Sequence, residues 1–499
     1  MLVERTVFTL LLFGFPVITQ GQQQEATKQR AVFPPLTAAQ QAAKQSLIDS
    51  IEIESDADRP NIVLLFADDL GYGDLGCFGS SEVPTPRIDA LASCGMKFTN
   101  AYVTAGTCSP SRAGLLTGQY QQRFGFEFNT SSRAITERLG RGLDPSAITI
   151  ADTMRQAGYR TGMVGKWHQG SRRQYHPANR GFDFFYGFLA GAHAFLPRSD
   201  LSKTEIEIGG GAGSASPMLR GFKTEAETGY LTDAFAREAV RFIKRQQPKQ
   251  PYFLYVPFNA VHTPLQATKE YQKRFAHVQD FKRRVYYAMT SAMDDAVGRI
   301  VDAVSETGMA ENTIVIFLND NGGPLYTGVQ SNGPLRLGKL FLFEGGVRVP
   351  LIIQWPSRIK GGSICEGIVS ALDIMPTCCA VAGLSLPDAI KTDGVDLRPW
   401  LIGQRTDSPH QSLYWRNGDN SAMRKGKWKM IEVPNHVWLF DLESDLGEQN
   451  NVAEQHLDRV HEMQQEFRAW ESTLKDPAWP PKPNRPSHVI DGVNYRVNI

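Results

Sequence analysis

The sequence predicts an α/β fold: a large mixed β-sheet flanked by helices on both faces, with a smaller C-terminal domain of antiparallel sheet plus helix. The main observation is that short apolar runs, with the composition of buried strands, alternate with longer helical stretches. A second is that several of these runs end directly in polar clusters, as strands do beside the ligand site of an open α/β sheet. A third is that closely spaced short strands begin near residue 407.

Two of the apolar runs end in acidic clusters. Residues 61–67 lead into Asp68 and Asp69, and residues 313–318 lead into a segment, 319–323, that holds an acid between two asparagines. An acidic pair after a strand is most often a turn or a helix N-cap. Two such clusters at strand ends in one chain favour a ligand site instead.

Two further runs end near cations and imidazoles. Residues 159–164 lead into Lys166 and His168, and residues 252–256 lead to His262. A lone lysine or histidine is usually a surface or structural residue. Because ligands lie outside the carboxyl ends of the strands in an open α/β sheet, all four clusters are predicted to meet in one crevice.

The remaining elements follow from helical spacing, strand composition and turn residues. The predicted helices are 233–245, 282–306, 370–384 and 454–474. The other predicted strands are 349–355, 412–415, 427–432 and 437–441.

The segment from Cys108 to Arg112 is predicted to begin a helix at the crevice. Pro110 suits a first helical turn, and the free NH groups of that turn favour an anion. A cysteine before a helix is more often a small buried apolar residue. The nearby acidic and basic clusters favour a functional role here.

The side chains of the crevice indicate a hard metal ion and an anionic substrate. The predicted metal ligands are Asp68, Asp69, Asp320 and Asn321. These oxygen donors suit Ca²⁺, and to a lesser degree Mg²⁺, rather than Zn²⁺. Arg112, Lys166 and Lys339 would hold an anionic group beside the metal.

Between residues 59 and 453 the chain carries a series of motifs in a recognisable order. They are the Asp-Asp segment, Cys-x-Pro-x-Arg followed by Leu-Thr-Gly, Gly-Lys-Trp-His, His-Thr-Pro, Asp-Asn-Gly-Gly, and Gly-Lys with Glu-Gly-Gly-Val-Arg-Val-Pro. On these motifs the chain resembles the type I, formylglycine-dependent sulfatases, the arylsulfatase-like branch of the alkaline phosphatase superfamily. The resemblance implies a sulfuric ester hydrolase.

The resemblance also implies the role of each site residue. Cys108 would be oxidised by a formylglycine-generating enzyme, and its hydrated aldehyde would be a metal ligand and the nucleophile. Arg112 would activate this group, and His168 would be the base that releases sulfate. The remaining roles are sulfate binding by Lys166 and Lys339, donation to the leaving-group oxygen by His262, and substrate contact by His193.

Other functions stay open at this point. A phosphodiester or phosphonate ester hydrolase of the same superfamily would use the same nucleophile and metal. A binding protein for sulfated glycans would keep Cys108 unconverted. By analogy alone, the substrate is expected to be a sulfated carbohydrate. Residues 340–343 are larger and less polar than the family's usual stretch, which leaves the shape of the substrate undetermined.

The net charge limits the possible binding partners, and the number of cysteines limits the possible disulfide bonds. The chain has 53 Lys and Arg against 52 Asp and Glu, a formal charge of +1, so no overall field attracts nucleic acid. Conversion of Cys108 would leave five of the six cysteines. This odd number excludes a fully paired disulfide framework.

The N-terminal pattern predicts an exported protein, periplasmic or secreted. Arg5 precedes a short apolar run at 7–18, which fits a cleaved signal peptide and is too short for stable membrane insertion. The predicted divisions are a signal peptide (1–21), a leader or partly helical arm (22–58), a catalytic domain (59–406), a small C-terminal α+β domain (407–475) and a proline-rich surface tail (476–499).

Overall fold

The computed structural model describes residues 32–54, 59–203, 216–247, 249–483 and 486–499. The expected signal peptide, 1–21, lies outside the described residues. The predicted fold class is confirmed, since helices pack on both faces of a large mixed sheet and a four-stranded antiparallel sheet follows it.

Twenty strands and twelve α-helices are assigned within the described residues. The strands are β1 Glu52–Ile53, β2 Asn61–Ala67, β3 Met96–Phe98, β4 Ala101–Tyr102, β5 Arg160–Lys166, β6 Phe184–Phe188, β7 Leu219–Arg220, β8 Lys223–Thr224, β9 Tyr252–Pro257, β10 Thr313–Asn319, β11 Leu351–Gln354, β12 Ser363–Cys365, β13 Val369–Ser370, β14 Leu384–Ser385, β15 Ser412–Asn417, β16 Asn420–Lys425, β17 Trp428–Val433, β18 His436–Asp441, β19 Ser487–Ile490 and β20 Val493–Arg496. The helices are α1 Ala38–Asp49, α2 Pro86–Ser93, α3 Cys108–Thr117, α4 Arg133–Leu139, α5 Ile150–Gln156, α6 Leu231–Lys244, α7 Lys269–Lys273, α8 Phe281–Glu306, α9 Glu344–Val347, α10 Ile374–Val381, α11 Arg398–Leu401 and α12 Leu457–Glu471.

The large sheet has ten strands in the order β12-β3-β11-β10-β2-β9-β5-β6-β7-β8. Its centre, from β10 to β6, is parallel, and β11 pairs with β10 in the antiparallel sense. Every residue of β2 is buried, and its side chains alternate between two apolar clusters. One cluster includes α6 and α8, and the other includes α3, α5 and α10. Because helices cover both faces, the central strands are continuously apolar.

The register of the parallel strands positions the polar clusters. Strands β2 and β10 pair without offset, from Asn61 opposite Thr313 to Ala67 opposite Asn319. The residues that follow Ala67 and Asn319 therefore leave the sheet at the same edge. The sheet thus brings together the two acidic clusters that are about 250 residues apart in sequence.

The antiparallel sheet has the order β15-β16-β17-β18 and is buried on both faces. One face packs on Tyr102 and Phe343 of the larger domain, and the other packs on Phe467 and Trp470 of α12. Strand β16 was not predicted from the sequence. Its residues are mainly polar, and neighbours satisfy them, as when Asn420 Nδ2 donates to a main-chain carbonyl 2.7 Å away.

The predicted helix at 370–384 is shorter in the structure. Ser370 ends β13, and a capping box between Ser370 and Asp373 begins a short 3₁₀ turn before α10. The chain then enters β14 at Leu384. A single helix over this range was therefore wrong at both ends.

The two terminal segments pack against the body of the protein. In the leader, Lys44 of α1 donates to the carbonyls of Pro145 and Ala147 at 3.1 and 3.0 Å. The proline-rich tail does not simply lie over the surface as expected, because Trp479 and Tyr495 are buried and the last residues form the hairpin β19–β20. All six cysteines are unpaired. Within the described part of the chain, no helix has the length and apolar character needed to cross a membrane.

Candidate active site

The acidic residues predicted at the strand ends lie together and are fully buried. Asp68 and Asp69 follow β2, and Asp320 and Asn321 follow β10. Asp69 has a positive φ of 62°, which aspartate tolerates better than most residues. This conformation lets its main-chain NH donate to Asp320 Oδ1 at 3.2 Å.

Cys108 is the first residue of α3 and points into the acidic cluster. Its Sγ lies 3.6 Å from Asp68 Oδ1, 3.9 Å from Asp69 Oδ1 and 3.3 Å from Lys339 Nζ. Burial and the neighbouring Asp320 raise the pKa of the Cys108 thiol far above its usual range. The thiol is therefore protonated and is a poor nucleophile in this form.

Each carboxyl group of the cluster lies beside a buried cation, and Asp68 also lies 3.5 Å from Arg112 Nη2. Lys166 Nζ lies 2.6 Å from Asp68 Oδ2, and Lys339 Nζ lies 2.7 Å from Asp69 Oδ2. Arg112 donates to Asp320 Oδ2 from Nη2 at 2.7 Å and from Nε at 3.0 Å. With all three carboxyl groups ionised, the cluster would hold three positive and three negative charges from these residues.

Burial and neighbouring charges shift the pKa values of the carboxyl groups in the cluster. Burial raises the pKa of Asp68 to about 8, and the nearby Asp320 carboxylate adds to this effect. Burial also opposes ionisation of Asp320, but Arg112 and Lys166 outweigh it and hold its pKa below the usual range. A further cation at this point would favour ionisation of all three acids.

The cluster offers donor atoms that suit a divalent cation. Ligand atoms of Asp68, Asp69, Cys108 and His262 all lie within 4.8 Å of one another. Asn321 Oδ1 is buried and has no hydrogen-bond partner among the described residues, while its Nδ2 donates to Asp69 Oδ1 at 2.7 Å. An unpaired buried carbonyl beside carboxylates is a suitable ligand for a hard cation. Asp320, also predicted as a ligand, has one carboxylate oxygen occupied by Arg112.

His168, the predicted base, follows β5 and is buried. Its Nδ1 has no hydrogen-bond partner in the described structure, and burial with nearby Lys166 lowers its pKa well below the usual range. Gly191 packs on the other ring nitrogen, since a Cβ at that position would lie 2.5 Å from His168 Nε2. The imidazole is therefore neutral at neutral pH and held against a glycine.

His262 lies beside Asp69, with Nε2 3.5 Å from Asp69 Oδ2. Its Nδ1 is 2.5 Å from the carbonyl of Thr263, which indicates that Nδ1 carries the proton. Burial lowers the pKa of His262 to about 3. Nε2 can therefore donate only after the ring has taken up a second proton.

His193, the predicted substrate contact, is half-buried in the segment after β6. Its Nδ1 hydrogen-bonds the carbonyl of Ala194 at 2.7 Å, and its ring centroid lies 5.1 Å from that of Phe188. Asn259 Nδ2 donates to the His193 carbonyl at 2.8 Å. The ring is thus fixed by local contacts two residues from Gly191.

The sequence did not predict two residues that contact Ser109, beside Cys108. Asn129 Oδ1 accepts from the Ser109 NH at 3.0 Å, and Gln169 Nε2 donates to the Ser109 carbonyl at 2.8 Å. Neither residue belongs to a sequence motif, so only the fold could reveal them. Residues 341–343, the large apolar stretch after Lys339, pack into the cluster with Tyr102.

Comparisons with known proteins identify the family of this chain. The Sulfatase family model matches residues 60–384, and a second model, N-sulphoglucosamine sulphohydrolase, C-terminal, matches residues 336–473. Human N-acetylgalactosamine-6-sulfatase is 34% identical over 391 residues, covering 76% of this chain and 72% of the relative. Human arylsulfatase A is 36% identical over 394 residues, covering 74% of each chain.

Two solved structures are also similar to this chain in fold and sequence. The crystal structure of Ps i-CgsB in complex with k-i-k-neocarrahexaose superposes with a TM-score of 0.77 at 35% identity, covering 84% of this chain and 94% of that one. A sulfatase (BT33336S-sulf) from the glycosaminoglycan metabolism of Bacteroides thetaiotaomicron superposes with a TM-score of 0.70 at 27% identity, covering 83% and 100%.

The fold and the site define a sulfuric ester hydrolase of the alkaline phosphatase superfamily. Within that superfamily, the chain belongs to the sulfatase family.

Proposed function

We propose that this sulfatase releases inorganic sulfate from a sulfated carbohydrate, with Cys108 converted to formylglycine and Ca²⁺ bound in the acidic cluster. The main support for this proposal is the position of the Cys108 side chain. Its side chain faces two carboxylates and Lys339 at 3.3–3.9 Å, at the start of a buried helix. A reactive group on this side chain would meet a metal ion and an anionic substrate at once.

The proposed metal ligands are Asp68, Asp69, Asp320 and Asn321, together with the group at position 108. The unpaired Asn321 Oδ1 and the buried carboxylates support a hard cation, and the absence of a thiolate pair among them disfavours Zn²⁺. When present, the cation and the hydrated aldehyde would supply the Lewis acid and the nucleophile.

The cations of the site would bind the sulfate group and orient it. Lys166 and Lys339 are buried, so their charge is weakly screened and would act strongly on sulfate oxygens. The Arg112 guanidinium, held by Asp320, would stabilise negative charge at position 108. Because these three cations are already paired with carboxylates, a divalent cation would release part of their charge toward the substrate.

Two histidines would move protons. His168 is neutral and has an unpaired Nδ1, which suits a base that takes a proton from the group at position 108 when sulfate is released. His262 would donate from Nε2 to the leaving-group oxygen in its doubly protonated form, which the negative charge of the bound ester would favour. His193 would contact the sugar from the edge of the pocket.

The choice of a carbohydrate rests on what the relatives act on or bind. One relative is an N-acetylgalactosamine-6-sulfatase, and one solved neighbour was crystallised with a neocarrahexaose. A phosphonate monoester hydrolase from Agrobacterium radiobacter also superposes, with a TM-score of 0.60, but at 21% identity it shares the fold alone.

We also propose that the protein is exported, to the periplasm or beyond, and that a formylglycine-generating enzyme modifies it. The basic residue and apolar run near the N-terminus support export. The Cys-x-Pro-x-Arg motif at positions 108–112 supports the modification. We also propose that the boundaries between the leader, the catalytic domain, the C-terminal domain and the tail lie at residues 58, 406 and 475.

Release of sulfate tests the function directly. Protein whose conversion at Cys108 has been confirmed by peptide mass is incubated with defined sulfated saccharides, an aryl sulfate and a phosphodiester. We expect sulfate from at least one saccharide, none from Cys108→Ala, and normal activity from Cys94→Ala, which changes an exposed cysteine. Phosphate without sulfate would instead assign a phosphodiesterase, and saccharide binding without hydrolysis by converted protein would assign a binding protein.

A further inference from the structure

A short loop, residues 324–331, connects the acidic cluster to the segment that carries Lys339. Gly323 NH donates to Asn332 Oδ1 at 2.8 Å, and Asn332 Nδ2 returns a hydrogen bond of 2.8 Å to the Gly323 carbonyl. The Lys339 NH also donates to the Gly323 carbonyl, at 3.2 Å. Both ends of this loop are therefore fixed beside the proposed metal and sulfate site.

The loop is also held together internally. Thr327 Oγ1 donates to the Pro324 carbonyl at 2.8 Å and contacts Gln330 Oε1, and Gly328 NH donates to the Leu325 carbonyl at 3.0 Å. The Thr327 side chain is buried under the turn. These bonds give the loop one defined shape, so the residues at its tip are held in place.

Two large apolar side chains lie at the tip and face solvent. Leu325 is 46% exposed and Tyr326 is 61% exposed. In the described structure, Tyr326 makes no hydrogen bond, ring stacking or cation–π contact with another side chain. Burial raises the pKa of its hydroxyl to about 12, against the opposing charge of Lys339. Tyr326 lies three positions after Gly323, whose carbonyl accepts from the Lys339 NH, so the tip of the loop lies near the charged cluster with the ring uncovered.

This arrangement complements the chemistry of the buried site. Cys108, Arg112, Lys166 and Lys339 are all buried and can recognise only the small charged end of a substrate. A sugar ring attached to that end would remain outside the buried cluster. It presents C–H groups on one face, which an exposed aromatic ring can cover without strict directional requirements.

We propose that Tyr326, supported by Leu325, is a specificity-determining platform on which the sugar ring next to the sulfate ester stacks. This inference rests on the proposed function, because it takes the substrate to be a sulfated saccharide. It adds a binding residue outside the nucleophile, metal and cationic groups. Tyr326 contributes to the affinity for the sugar and not to the affinity for sulfate.

Steady-state kinetics of Tyr326→Ala test this platform. We expect KM for a sulfated saccharide to rise roughly tenfold with kcat nearly unchanged, because a stacking contact of this kind is lost. Tyr326→Phe keeps the ring and should stay within about twofold of wild type. The inhibition constant of inorganic sulfate should be equal in all three proteins, since sulfate fills only the charged cluster.

A matched variant separates stacking on Tyr326 from a general loss of exposed apolar surface. Leu457→Ala removes an apolar side chain of similar exposure, 57%, from the start of α12 and should change nothing. An unchanged KM in Tyr326→Ala would overturn the proposal, and so would an equal rise in KM and in the inhibition constant of sulfate.

If converted wild-type protein hydrolyses no sulfated saccharide, the proposed function fails first. Calorimetric saccharide binding to Cys108→Ala, with and without Tyr326→Ala, then tests the platform alone, and equal affinities would overturn it.

Discussion

Arg112 is fixed by several contacts that only a guanidinium makes together. Its Nε and Nη2 both donate to Asp320 Oδ2, its Nη1 lies 3.4 Å from the Lys166 carbonyl, and its plane lies over the Phe66 ring at 5.1 Å. A lysine would keep the charge but could not make the planar fork.

We therefore expect Arg112→Lys to lower kcat/KM by about 100-fold or more while the protein stays folded. The matched control is Arg123→Lys, because Arg123 makes a similar fork to Asp393 outside the site. Kinetics and thermal unfolding of both variants provide the measurement. A loss of less than tenfold in Arg112→Lys would show that charge alone is sufficient.

Glu448 is a buried acid whose proton matters for stability. Its Oε2 accepts from the Glu344 NH at 2.8 Å, and its Oε1 has no partner among the described residues. Burial raises its pKa from 4.5 to about 8, against the opposing effect of Lys429. The folded state therefore binds this proton more tightly than the unfolded state does. Its contribution to stability is complete below about pH 4.5 and is lost as the pH rises to about 8.

Replacing Glu448 by glutamine should remove this dependence. The variant keeps the shape of the side chain and has no charge to bury, so its stability relative to wild type should increase between pH 5 and pH 8. Urea unfolding at several pH values in that window measures the difference. If the free energies of unfolding of the two proteins change equally with pH, Glu448 is not protonated in the folded state as we infer.

At the scale of elements, the segment after β6 sets the position of the proposed base. A Cβ at Gly191 would lie 2.5 Å from His168 Nε2, so Gly191→Ala must displace the imidazole. We expect activity to fall by more than about tenfold, because a small misplacement of a reacting group is costly. Gly447→Ala is the control, since its Cβ would meet no atom closer than 3.7 Å. Normal activity in Gly191→Ala would show that His168 is not the base.

An ion pair joins strand β17 of the C-terminal sheet to Glu344, five residues after Lys339. Lys429 is buried and donates from Nζ to Glu344 Oε1 at 2.8 Å, while the Tyr102 hydroxyl lies 2.6 Å from Glu344 Oε2. Lys429→Met would remove the nearest cation from this buried carboxylate and leave Arg348 Nη1 at 3.4 Å, and we expect it to destabilise the fold by about 3 kcal/mol. Adding Glu344→Gln should recover part of that loss. Urea unfolding of the single and double variants measures it, and equal destabilisation in both would show that the pair is not coupled.

The elements that sequence predicted well share one physical property. Strands such as β2 and β10 are buried on both faces, so their apolar runs are continuous and their polar ends are unambiguous. Strand β16 has no such run, because hydrogen bonds to other segments satisfy its polar side chains. The predicted ligands and cations followed from the strand ends. Contacts such as that of Asn129 with Ser109 depend on loop packing, for which sequence carries no periodic signal.

For the molecule as a whole, the proposed ion binding would be coupled to folding through the charged cluster. Its acids come from distant parts of the chain, so the complete site exists only in the folded state. Binding of Ca²⁺ should therefore raise the unfolding temperature with increasing Ca²⁺ concentration, and a chelator should reverse the shift. Asp69→Asn should reduce the shift, whereas Asp302→Asn, an exposed acid on α8, should not. A melting temperature independent of Ca²⁺ would contradict the proposed cofactor.

The burial of Cys108 would also restrict when the proposed modification can take place. In the folded protein every residue of α3 is buried, and Lys339, which contacts the Cys108 sulfur, lies 231 positions later in the chain. During synthesis, an oxidising enzyme could reach the thiol until this later segment emerges and closes over it. The order of translation thus provides an interval for maturation. A variant that folds faster around α3 would shorten that interval and leave a larger fraction of molecules unconverted.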